Sequence, residues 1–232
     1  MPARGKFIVL EGIDGSGKRT QAEALAQELG VRGVACARLE FPRYEGFFGR
    51  LVAQFLNGDF GPLESVDPHF SALLYAGDRL EARAGIEAEL GAGKILLADR
   101  YVGSNLAHQG ARVPAEKRLQ FLAWLRELEY RIYALPAEDL VFYLRVPTGE
   151  AHRLIGQKGA RSYTQLHRDI QESDMTHLDR ASAIYDELAR QANWVTIECA
   201  EPGGGLRTPA AIHHQILAIV ESQIGAALGS RG

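Results

Sequence analysis

Apolar residues fall along this chain in five short, nearly unbroken runs, at residues 7–11, 35–41, 94–98, 140–146 and 194–199. Runs of that length without polar alternation are the pattern of strands buried on both faces. Between them lie longer stretches with helical spacing, at 19–29, 46–57, 68–90, 114–131, 169–191 and 209–228. Strand–helix alternation of this kind predicts a three-layer α/β fold: a five-stranded parallel sheet flanked by helices. No repeat or low-complexity tract interrupts it. Glu201-Pro202-Gly203-Gly204-Gly205 reads as a loop before the last helix rather than a linker. The expectation is one domain over residues 1–232.

In open parallel sheets, ligands bind beyond the carboxyl ends of the strands. That rule directs attention to the segments after Glu11, Phe41, Ala98 and Val146. The first reads Gly12-Ile13-Asp14-Gly15-Ser16-Gly17-Lys18-Arg19-Thr20, a G-x-x-x-x-G-K phosphate loop between a strand and a helix. Glycines let the backbone N–H groups face phosphate oxygens, the helix N-terminus adds partial positive charge, and the lysine neutralises β/γ oxygens. The usual Ser or Thr after the lysine, a Mg²⁺ ligand, is replaced by Arg19. Arg19 is read as a cation for the transferring phosphoryl group or as a solvent-facing first-turn residue.

The third strand delivers Asp99, Arg100 and Tyr101 at its carboxyl end. Asp99 can hold Mg²⁺ or its water, and Arg100 can clamp a second phosphate bidentately. The alternative is an Asp–Arg pair capping the strand. Arg rather than Glu after Asp99 disfavours motor-type ATPases, and no Asn-Lys pair supplies a guanine-reading N-K-x-D.

Composition narrows the picture further. At 46% hydrophobic, 24% charged and net −3, the chain lacks the basic excess of a protein whose main partner is nucleic acid. Cys36 and Cys199 form no CxxC pair and read as reduced, buried thiols. No signal peptide or long apolar run is present, so a cytoplasmic protein without membrane association is expected. Residues 151–168 contain His152, Arg153, Lys158, Arg161, His167 and Arg168 and no acid, a basic segment suited to a closing lid.

The segments FIVLEGIDGSGKRT (7–20), Phe41-Pro42-Arg43-Tyr44, LLYAGDR (73–79) and DRYVGSNLAHQG (99–110) resemble the thymidylate kinase family of P-loop kinases, in order and spacing. The resemblance implies transfer of the γ-phosphoryl of ATP to dTMP, with Mg²⁺, small-molecule substrates and a homodimer. It implies that Lys18, Arg19, Arg100 and lid cations such as Arg153 and Arg161 act on the phosphates. Asp14 would meet the acceptor sugar, Arg43 and Arg100 its phosphate, and Tyr75 and Arg79 its base. Phe41, Tyr44, Asn105, His108, Gln109 and Asp169 would complete the acceptor site, with Asp99 and Glu172 near the metal. Read from the residues alone, Tyr75 and Arg79 share a helix face, and His108 fits a surface histidine as well as a ligand contact.

Overall fold

The computed structural model describes residues 4–156 and 175–224. Five parallel strands form one sheet in the order β2-β3-β1-β4-β5. They are β1 (Phe7–Glu11), β2 (Cys36–Glu40), β3 (Ile95–Asp99), β4 (Leu140–Arg145) and β5 (Trp194–Glu198). β1 lies at the centre, pairing Phe7 with Leu96 of β3 and Ile8 with Leu140 of β4. β1 and β3 are buried at every position, which is why their sequences are apolar without alternation.

Eight α-helices accompany the strands among the described residues: α1 (Lys18–Val31), α2 (Phe47–Asn57), α3 (Pro68–Gly91), α4 (Val102–Gly110), α5 (Ala115–Arg126), α6 (Thr148–Ile155), α7 (Met175–Leu188) and α8 (Pro209–Ile224). α3 starts at a cap the sequence spells out: the Asp67 carboxylate accepts from the His69 N–H, and Pro68 takes the first helical position. No described helix is long and apolar enough to cross a membrane.

Two stretches differ from the sequence expectation. The helix expected over 114–131 ends as α5 at Arg126 and continues as a π-helical turn, Glu127–Ile132. Residues 151–155, expected in the basic lid, belong to α6. The first part of the helix expected over 169–191 and the end of that over 209–228 lie outside the described residues, as do Lys158, Arg161, His167, Arg168, Asp169 and Glu172. Both cysteines are free thiols; Cys199 is buried and Cys36 half-buried.

At the amino end of β4 the Tyr130 hydroxyl donates to both oxygens of Glu138 at 2.9 Å. Burial, with repulsion from Glu11 and Glu129, nevertheless pushes the Glu138 carboxyl up from 4.5 to about 7. A carboxyl raised in the folded state favours folding while protonated, and that contribution is lost as pH rises from about 4.5 through 7. A rise of this size corresponds to about 3 kcal/mol, and each kcal/mol moves Tm by roughly 2–4 °C. Glu138→Gln cannot ionise, so its Tm should exceed that of the wild type increasingly between pH 5 and pH 8.5. Thermal melts across that range that run parallel for the two proteins would contradict this.

Candidate active site

The turn after β1 is shaped by steric necessity. Gly12 and Gly15 have φ of 143° and 83°, outside the range comfortable for side-chain residues. A Cβ on Gly12 would come within 2.7 Å of the Leu144 carbonyl oxygen, and one on Gly15 within 2.6 Å of the Ala151 carbonyl oxygen. The loop therefore packs its backbone directly on β4 and α6 and leaves its N–H groups at the start of α1. Lys18 is 6% exposed, and its ammonium donates to the Ile13 carbonyl at 2.9 Å. Arg19 points outward, pairing with Glu23 at 3.1 Å and approaching Glu40 at 4.0 Å. Thr20 is exposed on the same turn.

Beyond β3 the chain turns through Arg100, a non-glycine residue at φ 68°. Such a conformation costs of order 1–3 kcal/mol and persists where surrounding bonds over-determine it. Here they do. The Arg100 N–H donates to Leu10 O, and its guanidinium donates to Asp14 at 2.6 Å, Ser104 Oγ at 3.0 Å and Gly12 O at 3.3 Å. Burial opposes its charge, but Asp14, Tyr185 and Asp99 outweigh that and hold its pKa well above the usual value.

Glu11, 1% exposed at the end of β1, organises the same corner. Its Oε1 accepts from the Tyr101 and Ser104 N–H groups at the start of α4, and its Oε2 accepts from Ser104 Oγ at 2.6 Å and Tyr185 Oη at 2.9 Å. A carboxylate from another strand thus caps α4. Gly103 makes room for it, since a Cβ there would stand 2.8 Å from Glu11 Oε1.

Above this corner opens a cleft with about 510 Å³ of empty space, part of it open to solvent. Asp14, Phe41, Tyr44, Tyr75, Arg79, Arg100, Asn105, His108 and Gln109 line it, together with Pro42, Leu56 and Ser104. Tyr75 is half-buried and meets Phe55 edge-on at 6.3 Å. Arg79 is 2% exposed and bidentate to the fully buried Glu129, at 2.7 and 2.5 Å. Gln109 Oε1 accepts from Ser71 Oγ and Arg112 Nη1, both at 2.8 Å, which turns Nε2 away as a buried donor without a partner.

His108 is not a surface residue. It is 6% exposed, and burial, with the neighbouring Arg100 charge, holds it well below the usual histidine range. Arg100 Nη1 lies 3.4 Å from His108 Nε2, and His108 Nδ1 lies 3.3 Å from His177 Nε2 on α7. Because the guanidinium only donates, Nε2 accepts and Nδ1 carries the proton toward His177.

Several predicted residues do not line the cleft, among them Lys18, Arg19, Arg43, Asp99 and Arg153. Arg43 is held by Asp78, through Nε at 3.0 Å and its backbone N–H at 2.8 Å, and by Glu81 at 3.2 Å. Arg153 sits exposed on α6, paired with Glu150 at 2.8 Å. Asp99 is 9% exposed, and its Oδ1 is buried without a hydrogen-bond partner. Sequence reasoning passed over Glu11, Asp78, Glu129 and His177. Glu11 had a signal, a carboxylate closing an apolar strand; the other three are marked only by partners distant in sequence.

Comparison with known proteins gives a concordant result. A family model described as thymidylate kinase matches residues 10–205. A thymidylate kinase of Mycobacterium tuberculosis is 32% identical over 202 residues, covering 85% of this chain and 94% of its own. One from Synechococcus sp. is 32% identical over 233 residues, covering 97% and 100%. The human thymidylate kinase is 27% identical over 223 residues, covering 95% and 92%. The solved structure of thymidylate kinase from Candida albicans superposes with a TM-score of 0.76 at 21% identity, covering 99% of this chain and 96% of that one, which establishes the shared fold. With the phosphate loop, the Asp99-Arg100-Tyr101 corner and a matched model spanning most of its length, this chain belongs to the thymidylate kinase family.

Proposed function

We propose that the cleft binds dTMP and that the protein transfers the γ-phosphoryl of ATP to it, giving dTDP and ADP. The observation that carries this reading is the juxtaposition of two anion sites. The phosphate loop with Lys18 lies beside a cleft floored by Arg100, and Asp14 bridges them through its 2.6 Å bond to Arg100. One oxygen of the acceptor phosphate attacks the γ-phosphorus. The bond from that phosphorus to the β,γ-bridging oxygen breaks, and ADP leaves with the electron pair. The acceptor is already an anion near neutral pH, so catalysis is positioning plus charge neutralisation. Lys18 and the loop N–H groups hold ATP, and Arg100 holds the acceptor phosphate. Arg43 reaches that phosphate by exchanging part of its pairing with Asp78 and Glu81. Arg19, Arg153, Arg161 and Asp169 keep the roles that the family resemblance implies.

The residues also fit a Mg²⁺ ion. Asp99 carries a buried carboxylate oxygen that no protein donor satisfies. Mg²⁺ binds through one or two carboxylates plus nucleotide phosphates and water. Asp99, with Glu172 as second carboxylate, would hold it, and it would neutralise charge on the β- and γ-phosphate oxygens. Asp99→Asn should lower turnover at least about tenfold, a barrier change of roughly 1.4 kcal/mol. Undiminished turnover in that variant, or full activity in chelator, would contradict the assignment.

Base recognition follows from donor and acceptor placement. Asn105 Nδ2 donates to Ala72 O at 3.0 Å and to Glu129 at 2.8 Å, leaving Oδ1 buried and unpartnered as an acceptor. That oxygen suits the N3–H of thymine, while Arg79, a donor only, suits its O4. Leaving such groups unpaired costs about 1–3 kcal/mol each. ADP release should therefore be strong with dTMP, several-fold weaker with dUMP for want of one methyl, and far weaker with dCMP and the purine monophosphates. Arg79→Ala should cost most of the preference for dTMP over dCMP. Equal use of dTMP and dCMP by the wild type would replace this reading with a broader nucleoside monophosphate kinase.

The homodimer expected from the family has a face to use. Phe70, Leu73 and Leu80 stand exposed on one stripe of α3, and Phe47 is exposed on the adjoining α2. Paired Leu73→Glu and Leu80→Glu substitutions should shift the sedimenting species toward monomer. A wild type that already sediments as a monomer would remove the dimer from the proposal.

A further inference from the structure

We propose that Glu129 is the positioning residue behind base selection, fixing the polarity of the cleft wall by holding Arg79 as donor and Asn105 as acceptor. The proposal rests on the reading of the cleft as the acceptor-base site and deepens it.

Glu129 has no exposed surface and does not line the cleft; it stands behind the wall, on the π-helical turn Glu127–Ile132. Its Oε2 accepts from Arg79 Nε at 2.7 Å. Its Oε1 accepts from Arg79 Nη2 at 2.5 Å and from Asn105 Nδ2 at 2.8 Å. One carboxylate therefore ties together α3 and α4, the two helices that carry the base-reading side chains. Both groups around Asn105 Nδ2, the carboxylate and the Ala72 carbonyl, can only accept. Turning the amide over would aim its oxygen at two other oxygens and put its NH₂ where the buried acceptor now stands. Glu129 thus makes that inversion unfavourable and leaves Asn105 Oδ1 as the acceptor. It also neutralises the Arg79 charge and engages two of the guanidinium nitrogens, so that the remaining N–H groups are the ones left for a ligand.

The wall then offers a donor beside an acceptor. A pyrimidine with a 4-oxo group and an N3–H complements both. A 4-amino pyrimidine with a bare N3 meets donor with donor and acceptor with acceptor. Selection by this mechanism is indifferent to the 5-methyl group, which separates it from selection by shape.

The test compares kcat/KM for dTMP and 5-methyl-dCMP, which share methyl and sugar and differ only in the polarity of the base edge. The wild type should prefer dTMP by at least about thirtyfold, from two mismatched groups. In Glu129→Gln the amide NH₂ opposes one of the Arg79 donors and Asn105 loses its fixed partner. The preference should fall at least about tenfold, mainly through a higher KM for dTMP, with kcat at saturation within about threefold, because neither Lys18 nor Arg100 touches Glu129. A uniform loss on both substrates at unchanged ratio would overturn the proposal and leave Glu129 a packing residue. A wild type without preference between the two nucleotides would instead overturn the base-site reading beneath it. Should Glu129→Gln not fold, Glu129→Asp keeps the buried anion but cannot reach both partners. Its preference should drop at least about threefold, and an unchanged preference in that folded variant is equally fatal.

Discussion

The site depends first on a buried carboxylate at the end of the central strand. Glu11 accepts four hydrogen bonds, two from backbone N–H groups at the start of α4 and two from the hydroxyls of Ser104 and Tyr185. It therefore fixes where α4 begins relative to β1 and β3 and how α7 packs over both. α4 carries Ser104, Asn105, His108 and Gln109, one wall of the cleft. Arg100 precedes it in a strained conformation that is held from both sides, by Leu10 O through its backbone and by Ser104 and Asp14 through its side chain. Without Glu11, two helix-terminal N–H groups would lie buried and unpaired, at about 1–3 kcal/mol each. The small residue at Gly103 belongs to the same constraint, since the carboxylate occupies the space a side chain would need.

The sheet and the phosphate loop were legible in the sequence because both are dictated locally. Continuous apolar runs mark strands covered on both faces, and the observed strands differ from the expected ones by a residue or two at the ends. The glycines of the loop announce a backbone that no other residue adopts there. The helix α6 was hidden because Thr148-Gly149-Glu150 after Pro147 has the composition of a loop; its helical state comes from packing under the phosphate loop, where Ala151 touches Gly15. The π-helical turn was merged with α5, since one extra residue per turn barely disturbs an apolar pattern over six residues.

The wall of the cleft was legible as a set of residues but not as a set of interactions. Arg79 is marked by its spacing from Tyr75, yet nothing near it in sequence reveals Glu129, fifty residues on. A glutamate on a helix ordinarily reads as a solvated charge. His108 fitted a surface histidine as well as a ligand contact for the same reason: its burial is created by His177 and Tyr185 of α7. Where a side chain's surroundings come from distant segments, local pattern carries residue type without environment.

Those distant partners explain how a protein with a net charge of −3 presents cations to nucleotides. Each arginine assigned to the acceptor already has a carboxylate: Arg79 has Glu129, Arg100 has Asp14, and Arg43 has Asp78 and Glu81. A bare guanidinium in a buried wall would be expensive, and breaking a buried pair costs about 3–5 kcal/mol. Pairing keeps the cations in place without a ligand and sorts them by what a ligand does to them. The Arg79–Glu129 pair is almost wholly buried, so on the proposed reading it would persist on binding as a rigid template. Arg100 and Arg43 are partly exposed, as are Asp14 and Glu81 among their carboxylate partners, although Asp78 is buried; on the proposed reading an arriving phosphate can share their exposed donors. On the proposed assignment, the base would meet a fixed surface and the phosphate an adjustable one. That division suits an enzyme that must hold the acceptor's identity constant while charge moves across its phosphate.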